Sequence, residues 1–354
     1  MEAASVPAPT AQPSTGDRIR DLLSRYGLIA FLLAMPVLYA VRDISDGKGL
    51  APVANLLFAG LSNGSIWALI AVGYTLVYGI IELINFAHGD NFMIGTFVSF
   101  SLYATLGLTL TTGTFGLIGG LVIALLAAMF ICGMTNVMIE RVAYRPLRNA
   151  PKLAPLITAV GFSFILQNVG ILWLGSSQRS IPDLIHSQHN LATIFGVHVH
   201  NGDVLAIGVT IPLVIVLNGY IQRSRIGKAM RATAQDPEAA RLMGINVDTT
   251  ISFTFLVGGL AAGAAGLIYA LYQTTIWYFS GFQAGLIAFT AAVMGGIGNL
   301  RGAVLGGLII GGIQQIADNR IGAQWTPAVV FAYLIVIMVF RPQGLIGEET
   351  REAG

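Results

Sequence analysis

Residues 223–248, RSRIGKAMRATAQDPEAARLMGINVD, interrupt a chain that is otherwise mostly apolar. Their reading divides the sequence into membrane-crossing runs and one hydrophilic segment with a local fold. Asp236 is placed to cap the first amides of a new helix, and Pro237 is preset for the first helical position. Glu238 lies in the first turn, where the helix dipole favours an acid. Gly244 supplies the stop. The spacing predicts a helix of about two turns in which Ala239, Ala240, Leu242 and Met243 form a small, partly apolar surface. Such a helix suits a groove on a partner, although a capped surface helix on a loop with no partner would read the same way.

Composition sets the class. Of 354 residues, 55% are hydrophobic and 10% charged, and mean hydropathy is +0.74; ordinary soluble domains carry about 25% charged residues. The chain therefore reads as an integral membrane protein in a lipid bilayer. A net charge of +2 with no basic face gives no reason to expect nucleic acid. Cys132 is the single cysteine, so there is no disulfide framework, and its apolar setting makes it a packing residue. Many of the 43 glycines lie inside hydrophobic runs, where small residues let helices approach closely.

In chain order, residues 1–16 are a disordered tail by composition. Residues 17–50 form an extension whose arginines, Arg18, Arg20 and Arg25, precede an apolar run from Tyr26 to Val41. Its Pro36 and its lack of a small-residue cleavage pattern favour an uncleaved span over a signal peptide. The run from Val53 to Ile84 exceeds the roughly 20 residues one crossing needs, and its polar Ser62-Asn63-Gly64-Ser65 predicts a tilted or broken helix. Glu82 to Asp90 crowds Asn85 and His88 beside the next span. It is either a polar site facing a cavity or a turn at the interface. Spans follow at about 92–110 and 115–139. A further span carries Gln167 and Asn168, which either line a pathway or hydrogen-bond between helices. Residues 175–203 hold His186, His189, His198 and His200; a Val-His-Val-His strand turning at Asn201-Gly202 is a plainer reading than a metal site. After spans at about 204–221 and 251–272, residues 284–317 predict two short segments meeting at a glycine-rich break that contains Gly295, Gly296, Gly298 and Gly302. The last span is Val329 to Phe340. The expected fold is an all-α polytopic bundle of about ten spans (eight to ten), with broken or re-entrant segments. The arginines before Tyr26 and the clusters at Glu140 to Lys152, at Gln222 to Arg225 and at Arg341 put those loops, and both termini, in the cytoplasm. The breaks at 82–90 and 295–302 fall one in each half, as in an inverted-repeat transporter.

Several stretches carry a resemblance. Glu238-Ala239-Ala240, three residues and Gly244 look like the EAA loop of ABC-importer permeases. Ile84-Asn85-Phe86-Ala87-His88-Gly89, Glu140 to Arg148, Leu156 to Gly161 leading to Gln167-Asn168, and Phe289 to Gly298 are similar to LivH-type permeases of branched-chain amino acid importers, over about 54–347. The resemblance implies a permease domain at 51–347 followed by a short tail at 348–354. The 223–248 loop would couple it to two ABC ATPase subunits that bind ATP and Mg, with a LivM-like second permease and an extracytoplasmic substrate-binding protein as further partners. No cofactor or metal is implied in this chain. It carries no phosphate loop, since none of Lys48, Lys152 and Lys228 is placed as one requires. Asn85, His88, Gln167 and Asn168 are the candidate polar groups of the path. The first 50 residues and Glu82 depart from the pattern, and urea and short-amide permeases share much of it. A proton-coupled secondary transporter using Glu82, His88 and Asp90 is the rival class; it leaves the capped helix unexplained.

Overall fold

The computed structural model describes residues 27–148, 150, 151 and 153–347. The expected disordered tails, the arginines before Gly27 and Lys152 lie outside these residues. Ten helices of 15 residues or more build the described bundle. They are α1 (Leu28–Ser45), α2 (Ala51–Ile81), α3 (Ala87–Thr105), α4 (Thr114–Ile139), α5 (Leu153–Leu174) and α6 (Asn201–Arg223), then α9 (Val247–Gln273), α10 (Ser280–Gly295), α11 (Leu300–Ala317) and α12 (Thr326–Phe340), with the short α7 (Arg225–Gln235) and α8 (Pro237–Leu242) between α6 and α9. By length and composition, six continuous stretches suffice to cross a membrane, the longest being Leu300–Phe340.

The expected break at Ser62-Asn63-Gly64-Ser65 does not occur, because α2 runs unbroken for 31 residues. The Ser62 and Ser65 hydroxyls donate back to the Phe58 carbonyl (3.2 Å) and the Ser62 carbonyl (2.7 Å), so both serines are satisfied within the helix. Small size is what these positions supply. A Cβ on Gly60 would stand 2.7 Å from Gly312 Cα, and one on Gly64 2.8 Å from the Gly307 carbonyl oxygen. A second seam joins α4 to α9, where a Cβ on Gly259 would meet the Cys132 carbonyl oxygen at 2.5 Å. The buried Cys132 thiol donates to the Asn91 carbonyl, consistent with packing.

Connections gather at two ends. At one, the Tyr144 hydroxyl donates to the Ile84 carbonyl (3.1 Å), Arg145 pairs with Asp248 (2.9 Å), and the Leu345 amide donates to the Met294 carbonyl (2.9 Å). At the other, β1 (Arg179–Ser180) pairs antiparallel with β4 (Thr275–Ile276), and Arg320 pairs with the buried Asp43. That ion pair, with Phe31 stacked 4.5 Å from Tyr333, fastens α1 of the N-terminal extension to the bundle. The Val-His-Val-His segment is a strand, β3 (Val197–His200), paired with β2 (Asn190–Ile194). Its turn lies at Phe195-Gly196, both at positive φ (52° and 82°), while Asn201-Gly202 opens α6. The breaks at 82–90 and 295–302 sit side by side, since Gly79 faces Gly298. An inverted repeat would put equivalent breaks at opposite ends, so the two are not equivalent.

The α2–α11 seam makes a comparison possible. Gly64→Val is expected to lower stability in detergent by about 1–3 kcal/mol or more, whereas Gly208→Val, on α6 with open space around it, stays within about 0.5 kcal/mol. Thermal unfolding of the two variants reads the difference directly.

Candidate functional site

The hydrophilic segment is built from short, fixed pieces. Ser224 caps α7 by accepting from the Gly227 amide (2.9 Å), and Arg231 donates to the Ile221 carbonyl at the end of α6 (2.6 Å). Gly227 is pressed so closely on that carbonyl that a Cβ has no room. Asp236 then caps α8, its Oδ1 accepting from the Glu238 and Ala239 amides, each at 2.9 Å, and Pro237 opens the helix. Ala240 is buried as the anchor, and Gly244 ends the element at φ 82°. Asn246 caps α9 through the Thr249 amide at 3.0 Å. Outward, α8 and the residue after it offer an apolar tip, Leu242 and Met243, 89% and 83% exposed, beside the exposed Glu238 and Arg241. Beside it lies a groove of about 510 Å³ lined on one wall by Asp236, Pro237, Glu238 and Arg241 and on the other by Ile81, Tyr144 and Arg148.

An ionic cluster ties this region to the bundle. After Ile139 the α4 helix continues as a π turn, Glu140–Tyr144, which turns Glu140 fully inward. Arg148 bridges Glu140 and Asp248, Ser252 donates to Glu140 (2.6 Å), and Arg145 adds a second contact to Asp248. The sequence marked Glu140 to Arg148 as a charge cluster and as a stretch resembling LivH-type permeases, without a partner for its charges. Its pairing with the first turn of α9 spans about a hundred residues and leaves no local signal.

The 82–90 stretch divides: Glu82 is exposed, at φ 51°, and the polar residues from Asn85 on go inside. Asn85, His88, Asp90 and Asn91 are all buried. Asn85 donates to Asn136 (3.1 Å), which donates in turn to the Phe255 carbonyl (2.6 Å), linking the α2–α3 turn through α4 to α9. His88 packs edge-on against Tyr74 at 4.8 Å, and neither of its ring nitrogens has a hydrogen-bond partner. Asp90 accepts from Ser163 and, at 3.4 Å, from Gln167, so Gln167 joins α5 to α3. Asn168 stands apart: it is exposed and donates to the Phe164 carbonyl of its own helix (2.8 Å). Asp90, which the sequence marked at the end of the 82–90 stretch, is joined here by Ser163 and Asn136, and these two escaped sequence reading because each is an isolated polar residue in an apolar run.

The four glycines of the break divide into two kinds. Gly296 and Gly298 have φ 111° and 92°, values that favour glycine, whereas Gly295 and Gly302 lie against each other's carbonyls as α10 meets α11. Asn299 caps α11, and the segment after α12 closes over the turn through the Ile346 amide to Gly295 (3.0 Å) and Asn299 to the Ile346 carbonyl (2.8 Å). His198 and His200 lie in and after the β2–β3 hairpin, and the described residues contain no group of three metal-ligating side chains.

A polytopic helical bundle with glycine seams, buried interhelical amides and a rigid helix projecting from one end is a transport permease in class. The chain belongs to the branched-chain amino acid transport system / permease component family, which matches residues 56–339. It is 40% identical over 294 residues to the high-affinity branched-chain amino acid transport system permease protein LivH of Escherichia coli (strain K12), covering 82% of this chain and 94% of that protein. It is also 40% identical over 300 residues to the permease protein BraD of Pseudomonas aeruginosa, with the same coverage. A probable LivH of Methanocaldococcus jannaschii is 23% identical over 315 residues, 84% of this chain and 93% of that one.

Arg148→Ala leaves Glu140 buried without its cation, a change expected to cost about 3–5 kcal/mol. The paired replacement Glu140→Gln with Arg148→Met is expected to recover most of it. Unfolding in detergent measures both, and equal losses in the two variants would count against the pair as the cause.

Proposed function

We propose that this chain is one permease subunit of an importer that carries branched-chain amino acids across the bacterial plasma (inner) membrane, driven by separate ATPase subunits that grip α8. The carrying observation is α8 itself, a capped helix anchored by Ala240 that projects Leu242 and Met243 into solvent. An exposed apolar tip on a rigid mount is the expected form of a helix that docks in a groove. Charge supports its sidedness. Among the described residues, the end that bears α8 carries ten lysines and arginines (Arg141, Arg145, Arg148, Arg223, Arg225, Lys228, Arg231, Arg241, Arg301, Arg341) against four at the other end (Arg42, Lys48, Arg179, Arg320). The excess supports a cytoplasmic α8 end, and ten crossings would bring the start of α1 and the end of α12 to that side.

In this reading two ATPases bind ATP and Mg, and a LivM-like second permease completes the membrane unit. An extracytoplasmic binding protein delivers substrate to the opposite end, and this chain does no chemistry of its own. The names of the 39–40% identical relatives favour branched-chain amino acids over urea or short amides. ATPase closure would move α8, and the Arg148 bridge between Glu140 and Asp248 would pass that movement to α4 and α9 together. Asn85 and Gln167, engaged with Asn136 and Asp90, hold the helices beside the path rather than bind the cargo. The exposed Asn168 faces lipid or the second permease.

Glu238→Arg and Leu242→Asp are both expected to leave the subunit inserted and folded while uptake falls about tenfold or more, the loss of a buried interface anchor. Substrate uptake in membrane vesicles, with co-purification of the ATPase, checks this; undiminished uptake in both variants would remove α8 from the coupling role.

A further inference from the structure

At the end of the bundle opposite α8, the chain between α11 and α12 abandons regular helix. Asp318–Gly322 is a π turn, Ala323–Trp325 a 3-10 turn, and Gly322 has φ 123°. Irregular backbone within an apolar stretch is tolerated where it lines a cavity. A cavity of about 320 Å³ is present there, between this turn and the starts of α10 and α12. Its wall is aromatic and aliphatic, from Phe282, Leu286, Ile287 and Phe331, and four polar side chains converge on it, one each from α10, α11, the π turn and α12: Gln283, Gln314, Asp318 and Thr326.

Resting on the permease reading above, we propose that this cavity is the external receiving site for the amino acid, with Asp318 binding its ammonium group. Thr326 donates to Asp318 Oδ1 and fixes the carboxylate. Arg320, two residues on, turns away to pair with Asp43 and leaves Asp318 its charge. A carboxylate in an apolar setting is costly unless a cation meets it, and an α-amino acid brings one. Trp67 Nε1 donates to Gln314 Oε1 at 2.6 Å, so the Gln314 NH2 is the end turned to Asp318, where it joins Thr326 in steadying the carboxylate. Gln283, in the first turn of α10, stands where a helix start favours an anion, and suits the substrate carboxylate. The aromatic and aliphatic wall then takes a branched side chain. A volume near the lower end of ligand pockets, about 300–1,000 Å³, fits one amino acid and excludes a peptide.

The sequence provides a clean background for the test, because Cys132 is the single cysteine and is buried. Leu286→Cys in the assembled importer, reconstituted in lipid nanodiscs, is labelled with a maleimide at increasing leucine concentration. Leucine and 3-methylbutylamine, which keeps the ammonium, are expected to protect the thiol, and 4-methylpentanoate, which lacks it, is not. Adding Asp318→Asn is expected to raise the leucine concentration for half-protection about tenfold or more, the worth of a charge-assisted hydrogen bond. Leu191→Cys, exposed on the β2 strand, reports any general change and is expected to label equally with and without leucine. If the wild-type importer takes up leucine but Leu286→Cys is unprotected, or if protection ignores Asp318→Asn or extends equally to Leu191→Cys, the cavity is not the site and the permease reading stands. If the wild type takes up no branched-chain amino acid, both readings fall.

Discussion

Backbone-to-backbone contact at glycine is the constraint on which this bundle depends. In lipid no hydrophobic force drives one apolar helix onto another, so association rests on dispersion contact and interhelical hydrogen bonds. Gly60 and Gly64 of α2 meet Gly312 and Gly307 of α11, Gly259 of α9 meets Cys132 and Gly133 of α4, and Gly89 of α3 meets Gly285 of α10. Each pair removes the side chains that would hold the helices apart. The resulting block fixes the positions from which the loops depart, which is why six-residue α8 can be presented as a defined surface.

Charge is then distributed around that block with little waste. Arg148 bridges Glu140 and Asp248, so the end of α4 and the start of α9 move as one piece. The α7 helix is pinned to the end of α6 through Arg231, and Asn246 caps α9 immediately after α8. Force applied to Leu242 and Met243 therefore meets three capped or ion-paired junctions in succession. None is a flexible linker. A buried ion pair is a poor source of net stability but costly to split, so in the proposed coupling role this joint would pass on displacement without opening.

Local chemistry was legible in the sequence and distant pairing was not. The Asp236 cap, Pro237 at the helix start, Gly244 at its end and the break at Gly296 and Gly298 follow from side chains and φ preferences within a few residues, and they stand in the structure as read. The polar run at Ser62 to Ser65 was misread because serine and glycine signal a break in water, whereas between packed helices they signal close approach. The hairpin turn was misplaced for a similar reason: Asn201-Gly202 has turn composition, but His200 and Asp203 form a capping box that starts α6 there. Glu140 with Ser252, Asp90 with Ser163 and Asp43 with Arg320 join residues 73 to 277 positions apart. Single-chain patterning carries no trace of such partners.

The two departures from regular helix near α11 differ in how they are held, and the difference bears on where the molecule can yield. At the Gly295 to Gly302 turn, the amides of Leu345 and Ile346 bond to Met294 and Gly295, and Asn299 reaches the Ile346 carbonyl. Moving that turn means detaching the whole segment after α12, with several hydrogen bonds lost at once. At the Asp318 to Trp325 turn, the long-range tie is the Arg320–Asp43 pair to α1, and the adjoining cavity leaves α10 and α12 apart on the other side. A packed interior resists continuous deformation, so displacement between these helices is least opposed where they are already separated. The glycine-rich turn is thus held by backbone hydrogen bonds to the segment after α12, whereas the π turn beside the cavity is tied to α1, among the described residues, by a single ion pair.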